Sequence, residues 1–355
     1  MTLAERFPPD ERRSAGWAGA WFFCLLFGYY QLRPLRETKG FASGSDEIPM
    51  LFLASFMVML LAVPIYGLAV SRSIRHGGGI LFVRRAYRLF QLTMIAFFAF
   101  MQWQNEGVSA WVGRVYFVWL SVYNQFAVMM MWGIFTAALR SDQAKRWFGL
   151  ISAGGTLGGI FGSITARTLS SWMDISWVLV GGAVFLELCL ICSTRFSRSV
   201  SVPNLALNVA TKTRSTWSDA WSGLQTIAKS PYLLGIASFL LAIKACATTV
   251  YCQQGDWIAA AGLDQAERFK LLADINTWVL GSTLVVQSLG TAALMRRLSM
   301  AWVLLLGPLI YLIGFILLAT YPSLSLVVVF VVVHRAASYA LIAPAVEVLY
   351  TVVPK

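Results

Sequence analysis

The sequence predicts an all-α, polytopic membrane helix bundle with about ten helices, and three observations carry that prediction. Its 355 residues are 58% hydrophobic and 12% charged, with mean hydropathy +0.68; a soluble domain runs about 45–50% apolar and about 25% charged. Five runs without Asp, Glu, Lys or Arg, at 14–32, 49–71, 115–139, 147–166 and 275–295, hold 19 to 25 residues each. A bilayer-spanning helix needs roughly 20. Lys and Arg outnumber Asp and Glu by 28 to 16, a net charge of +12, and their placement follows the membrane rule described below. A water-soluble enzyme is close to excluded.

The elements follow in chain order. Helix one, 16–35, comes after a stretch that mixes acids with arginines and lacks a small-residue cleavage site, so it reads as an uncleaved first span. Helices two to four fall at 49–70, 86–104 and 109–138. Helix five, 147–172, carries Gly154, Gly155, Gly158, Gly159 and Gly162 in overlapping G-x-x-x-G spacings. No strand precedes and no G-K-[ST] follows, so close packing on a neighbouring helix is the better reading than a phosphate loop. Helix six spans 175–194, and helices seven to ten fall at 231–257, 273–295, 299–320 and 323–349. The uncharged stretch 298–334 has 37 residues, too many for one helix, and Tyr321-Pro322-Ser323 divides it because proline cannot donate to a continuing helix. The polar stretch 195–230 separates a six-helix half (1–194) from a four-helix half (231–355).

With the N-terminus inside, 19 of the 28 basic residues fall on the cytoplasmic side, 7 on the opposite side, and Lys244 and Arg335 at membrane depth. That bias fits the positive-inside rule and accounts for most of the charge without nucleic acid. The five cysteines lie in apolar segments and read as small hydrophobes. With only His76 and His334 in the chain, no metal site, no catalytic triad and no cofactor is expected.

Ionisable groups inside a bilayer are costly and therefore functional candidates. Arg33 and Arg36 close helix one, Arg114 opens helix four with Ser121 and Gln125 roughly aligned below it, and Lys244 shares a stripe of helix seven with Thr248 and Tyr251, with Gln253 near its end. Arg335 in helix ten meets Ser338 and Tyr339 at helical spacing. Glu187 and His334 are the proton-coupling candidates. Arginine's planar fork suits carboxylate or phosphate, and lysine acts as a point charge, so these cations, if they converge, make an anion site. The plainer alternative has Arg33, Arg36 and Arg114 snorkelling or pairing with Glu37, Asp46, Glu47 or Glu106, Lys244 and Arg335 pairing with Glu187 or Glu347, and His334 hydrogen-bonded in a core.

A six-helix half, a polar linker and a further set of helices resemble the two-half architecture of the major facilitator superfamily, and 67–76 resembles its cytoplasmic G-x-x-x-D-R-x-G-R-R signature, departing at Ser71 and Ile74. On that pattern the last two helices are missing. Closer likeness lies in Phe27-Gly-Tyr-Tyr-Gln-Leu-Arg-Pro-Leu-Arg-Glu-Thr-Lys-Gly40, which resembles the first-helix exit of the ATP/ADP translocases of plastids and obligate intracellular bacteria. The runs 141–149, 230–235 with Gln253-Gln254, and 339–350 resemble the bacterial relatives of that group. The resemblance implies a nucleotide exchanger or a relative of one, with Lys39 as a functional position, in a bacterial inner membrane. The family's acids in helices four and seven fall near Ser121 and Thr249, which are neutral, and its basic residue in helix ten falls at Val346. The expectation is a monomeric, non-enzymatic secondary transporter of a small organic anion, nucleotide-like on the resemblance. Its alternatives are a proton-coupled transporter of a lipophilic compound and a non-transporting membrane scaffold.

Overall fold

A computed structural model of the chain describes residues 9–42, 47–75, 79–102, 106–139, 141–200, 228, 230–289 and 300–350. Most of the 195–230 linker, Gly77 and Gly78, Asp46, and Arg296 with Arg297 lie outside them, as do the side chains of Glu106 and Glu347. The described residues form helices and no strand: α1 (Pro9–Ala42), α2 (Ile48–Arg75), α3 (Gly79–Gln102), α4 (Glu106–Ala138), α5 (Ser141–Leu169), α6 (Val178–Ser199), α7 (Pro231–Ala260), α8 (Gln265–Leu289), α9 (Met300–Thr320), α10 (Leu324–Ala337) and α11 (Ala343–Tyr350). Eight candidate spans are long and apolar enough to cross a membrane, and they fall on every helix except α1 and α3, with α10 and α11 sharing one. The protein is an integral, multi-pass, all-α membrane protein.

Two compact units divide it, one holding α1–α6 and the other α7–α11. In the first, α1 lies against α4, α5 and α6, α3 packs on α6 and α4, and α2 packs on α4. Among lipid tails the hydrophobic effect gives helices no reason to associate, so close backbone approach must supply the attraction. The glycines of α5 provide it. A Cβ on Gly154 would sit 2.7 Å from the Gly19 carbonyl oxygen, and on Gly158 or Gly162 it would meet the carbonyl oxygens of Phe23 and Phe27 closer still. Gly28 faces Phe185 of α6, where an added Cβ would stand 3.4 Å away, in ordinary van der Waals contact. Beneath this seam Trp21, fully enclosed, stands edge-on to Phe135 at 5.4 Å and to Tyr87 at 6.4 Å, and the Tyr87 hydroxyl donates to the Ala127 carbonyl at 3.0 Å. The central position of α1 explains its polar and aromatic composition: much of its surface meets protein instead of lipid. By contrast α2 exposes Leu53, Phe56, Leu61 and Ile65, as a helix in contact with acyl chains does.

In the second unit α10 lies against α7, α8 and α9. Its core joins Ile243 and Val250 of α7, Ile275 and Val279 of α8, Tyr311 of α9, and Val327, Phe330 and Val331 of α10. Ser323 caps α10, its Oγ accepting from the Leu326 N–H at 3.3 Å, so the turn after Thr320 falls where Pro322 requires it. A π turn, Ser338–Ile342, interrupts the helix before α11. Pro344 lies in the following turn; it has no N–H and its ring would strike the Ala340 carbonyl in α geometry, so the helix widens there.

Candidate functional site

The C-terminal third of α1 gathers four of the charged groups in the first unit. Arg33 donates from Nε to the Glu37 carboxylate at 2.9 Å, with the two side chains 11% and 1% exposed. Arg36, three residues on, turns towards α4: its Nη1 donates to the Ser121 hydroxyl at 3.2 Å, and its guanidinium lies 4.3 Å over the Phe117 ring. Gly40 makes that approach possible, since a Cβ there would lie 2.8 Å from the Phe117 ring. Lys39 is half-buried beside Gly113 and within the field of Asp174. It lies beyond the 16–35 span. Burial holds its ammonium below the ordinary lysine value, and the Asp174 carboxylate opposes that shift without cancelling it.

That direction fixes a pH dependence. A lysine whose folded pKa is lowered binds fewer protons folded than unfolded, so it destabilises the fold at neutral pH and the penalty fades as pH climbs towards the ordinary lysine value. Lys39→Met should therefore melt above the wild type at pH 7, with the gap narrowing as pH rises. Melting curves of both proteins across pH 7 to 10 check this, and a gap that widens with pH would contradict it.

Arg114 is elsewhere engaged. Its Nε and Nη2 form a fork on the Glu47 carboxylate at 2.7 and 2.6 Å, and its guanidinium lies 4.9 Å from the Trp111 ring. The pair stands beside an apolar groove of about 700 Å³ between α2 and α4, walled by Leu51, Val58, Val118 and Val122. Gln125 is exposed, apart from the Arg36–Ser121 contact. Glu187 accepts a two-pronged contact from Arg88, one arm at 2.9 Å, and a third bond from Gln91 at 3.2 Å.

In the second unit Arg335 is the enclosed cation. It is 8% exposed, and Nη2 donates to the Asn276 side-chain oxygen of α8 at 3.2 Å. Among the described residues its Nη1 has no hydrogen-bond partner, and neither has the Nδ2 of Asn276, a residue with 0% exposure. Among the described residues no carboxylate lies within ion-pair distance of Arg335. His334, its neighbour, shares a hydrogen bond of 3.1 Å between Nδ1 and the Tyr311 hydroxyl, and its ring lies tilted against Tyr311 and edge-on to Phe330. Lys244 and Thr248 sit together on the face of α7 that its own unit leaves exposed, the Thr248 hydroxyl donating to the Lys244 carbonyl at 2.9 Å. Gln253 is half-buried with its Oε1 unpartnered, and Tyr339 is exposed on the π turn.

The fold thus joins Arg36 to helix four and Arg335 to helix eight, while Arg33 and Arg114 each meet a carboxylate. Asn276 is the residue that spacing arguments miss, since a neutral amide inside helix eight carries no signal of its own. The Arg88–Glu187 pair is missed as well: spacing offers Glu187 to Lys244 or Arg335, and the fold gives it Arg88 of α3. Comparison with protein families, with curated proteins and with solved structures finds no match to this chain.

Proposed function

We propose that the protein is a secondary transporter or exchanger of a small organic anion, with Arg335 as the fixed charge that receives it. One observation carries this reading. A guanidinium enclosed among membrane helices keeps one nitrogen unpartnered and is met by an amide where a carboxylate would be expected. An isolated arginine at the centre of a span costs about 2.5–3.5 kcal/mol on insertion scales, and leaving a buried charge unpaired is among the more destabilising arrangements known. A substrate carboxylate or phosphate would supply the missing counter-charge, and the unpartnered amide hydrogens of Asn276 would add a second contact to the same anion. Alternating access between two helical halves, on the major-facilitator pattern, is the mechanism that fits such a site. The nucleotide-like substrate and the cytoplasmic N-terminus belong to this reading through the helix-one resemblance and the lysine and arginine bias. Both oxygens of the Glu187 carboxylate are engaged by Arg88 and Gln91, which weighs against the proton-coupled alternative.

Counterflow in proteoliposomes tests the reading. Vesicles loaded with unlabelled nucleotides or organic acids should accumulate the labelled form of at least one of them and none of a neutral solute. Failure of every anion, with uptake of a lipophilic compound driven by a pH gradient, would sink it.

A further inference from the structure

A cluster of arginines lies in the first unit. Near the start of α3 and the end of α6, Arg84, Arg88 and Arg195 line a notch of about 240 Å³ in which Glu187 is the carboxylate. Glu187 is committed to Arg88 and Gln91. Among the described residues, that leaves the charges of Arg84 and Arg195 uncompensated within the notch, and the Nε of Arg84 buried without a hydrogen-bond partner. Thr194 lines the notch beside them, its hydroxyl donating to the Leu190 carbonyl at 2.8 Å.

What runs away from this notch is apolar. One turn past Arg88 on the same face of α3 comes Leu92, 64% exposed. From Arg195 the same face of α6 descends through Ile191, Leu188 and Val184, all exposed. Basic side chains at a helix end, with a column of exposed aliphatic residues beneath them on two adjacent helices, match an amphiphile with an anionic head and hydrocarbon tails. A phosphate held at these arginines would sit directly above aliphatic surface that faces acyl chains, as the headgroup of a phospholipid does.

We propose that this notch binds the phosphate of an anionic membrane phospholipid, with Arg84 and Arg195 as the ligating groups and the Leu92 and Ile191 columns seating the acyl chains. Arg88 holds α3 against α6 through Glu187 and so positions the site. Basic pockets between membrane helices are suited to such headgroups. The inference is independent of the transport reading.

Thermal unfolding of the chain in phosphatidylcholine nanodiscs containing increasing phosphatidylglycerol tests it, beside the same chain in phosphatidylcholine alone with inorganic phosphate added. The melting temperature should climb with phosphatidylglycerol and stay level with inorganic phosphate, because binding to the folded state raises stability by mass action. In the Arg84→Gln/Arg195→Gln double variant, about tenfold or more phosphatidylglycerol should be needed for the same rise, the loss expected for charge-assisted contacts. A wild type indifferent to phosphatidylglycerol, an arm that needs no variant, would overturn the proposal. So would a double variant that keeps the wild-type response. A rise produced by inorganic phosphate alone would assign the notch to a soluble anion and overturn the lipid assignment.

Discussion

Gly158→Leu should leave no correctly folded protein to purify, whereas the same change at Gly149 in the same helix should be tolerated. A Cβ at Gly158 would press into the carbonyl oxygen of Phe23, which is backbone and cannot swing aside, while one at Gly149 would meet nothing within 4 Å. Overpacking that side chains can absorb costs about 1–3 kcal/mol. Here α1 and α5 would have to separate along the contact that Gly154, Gly158 and Gly162 share, and α1 also supports α4 and α6. The expected loss lies at or above the upper end of that range. Size-exclusion profiles of fluorescently tagged variants expressed in membranes would report it. A monodisperse Gly158→Leu peak of wild-type height would show that the helices are not in backbone contact.

Arg335→Gln should give the opposite pattern, a protein at least as stable as the wild type that no longer moves its anion. Glutamine keeps a hydrogen-bonding side chain near Asn276 and removes a charge that lacks a carboxylate partner among the described residues. The fold therefore gives up a desolvation penalty. Substrate binding gives up its counter-charge, and truncating one member of a buried charge pair costs about 2–5 kcal/mol, or about 30-fold and more in affinity. Arg335→Lys should retain a fraction of the activity, since the charge stays but the planar fork is lost. Gains in stability that accompany loss of function mark residues kept for a ligand. Melting temperature and counterflow rate measured on the same preparations separate the outcomes. Destabilisation by Arg335→Gln with transport intact would mark the arginine as structural.

Much of the architecture is legible in the sequence because the bilayer sets a length and punishes charge. The Tyr321-Pro322-Ser323 turn stands out within an uncharged stretch too long for one span, and α9 and α10 meet there with Ser323 as the cap. The α5 glycines are legible too, since their spacing of four puts them on one helical face. Their partner is not, because nothing in residues 19–27 declares that α1 will lie there. The same limit applies to the charges. Helical spacing assigns Arg33, Arg36 and Arg114 to faces, but which face meets which helix is a tertiary fact. Spacing alone pairs Arg33 with Glu37 one turn on, whereas the packing of helices gives Arg114 the carboxylate of Glu47 and brings Arg36 to Ser121 and Phe117. Lower apolarity in α1 and α3 has a similar origin: helices that face protein, or that end in arginines such as Arg84 and Arg88, need fewer aliphatic residues than helices that face lipid.

Equilibrium binding of whichever anion exchanges best in counterflow, titrated calorimetrically into the detergent-solubilised wild type and Arg335→Gln, is the most direct measurement. One anion should bind per chain, weakening about 30-fold or more in the variant. Equal affinity in the two proteins would mean that the guanidinium beside Asn276 does not hold the anion.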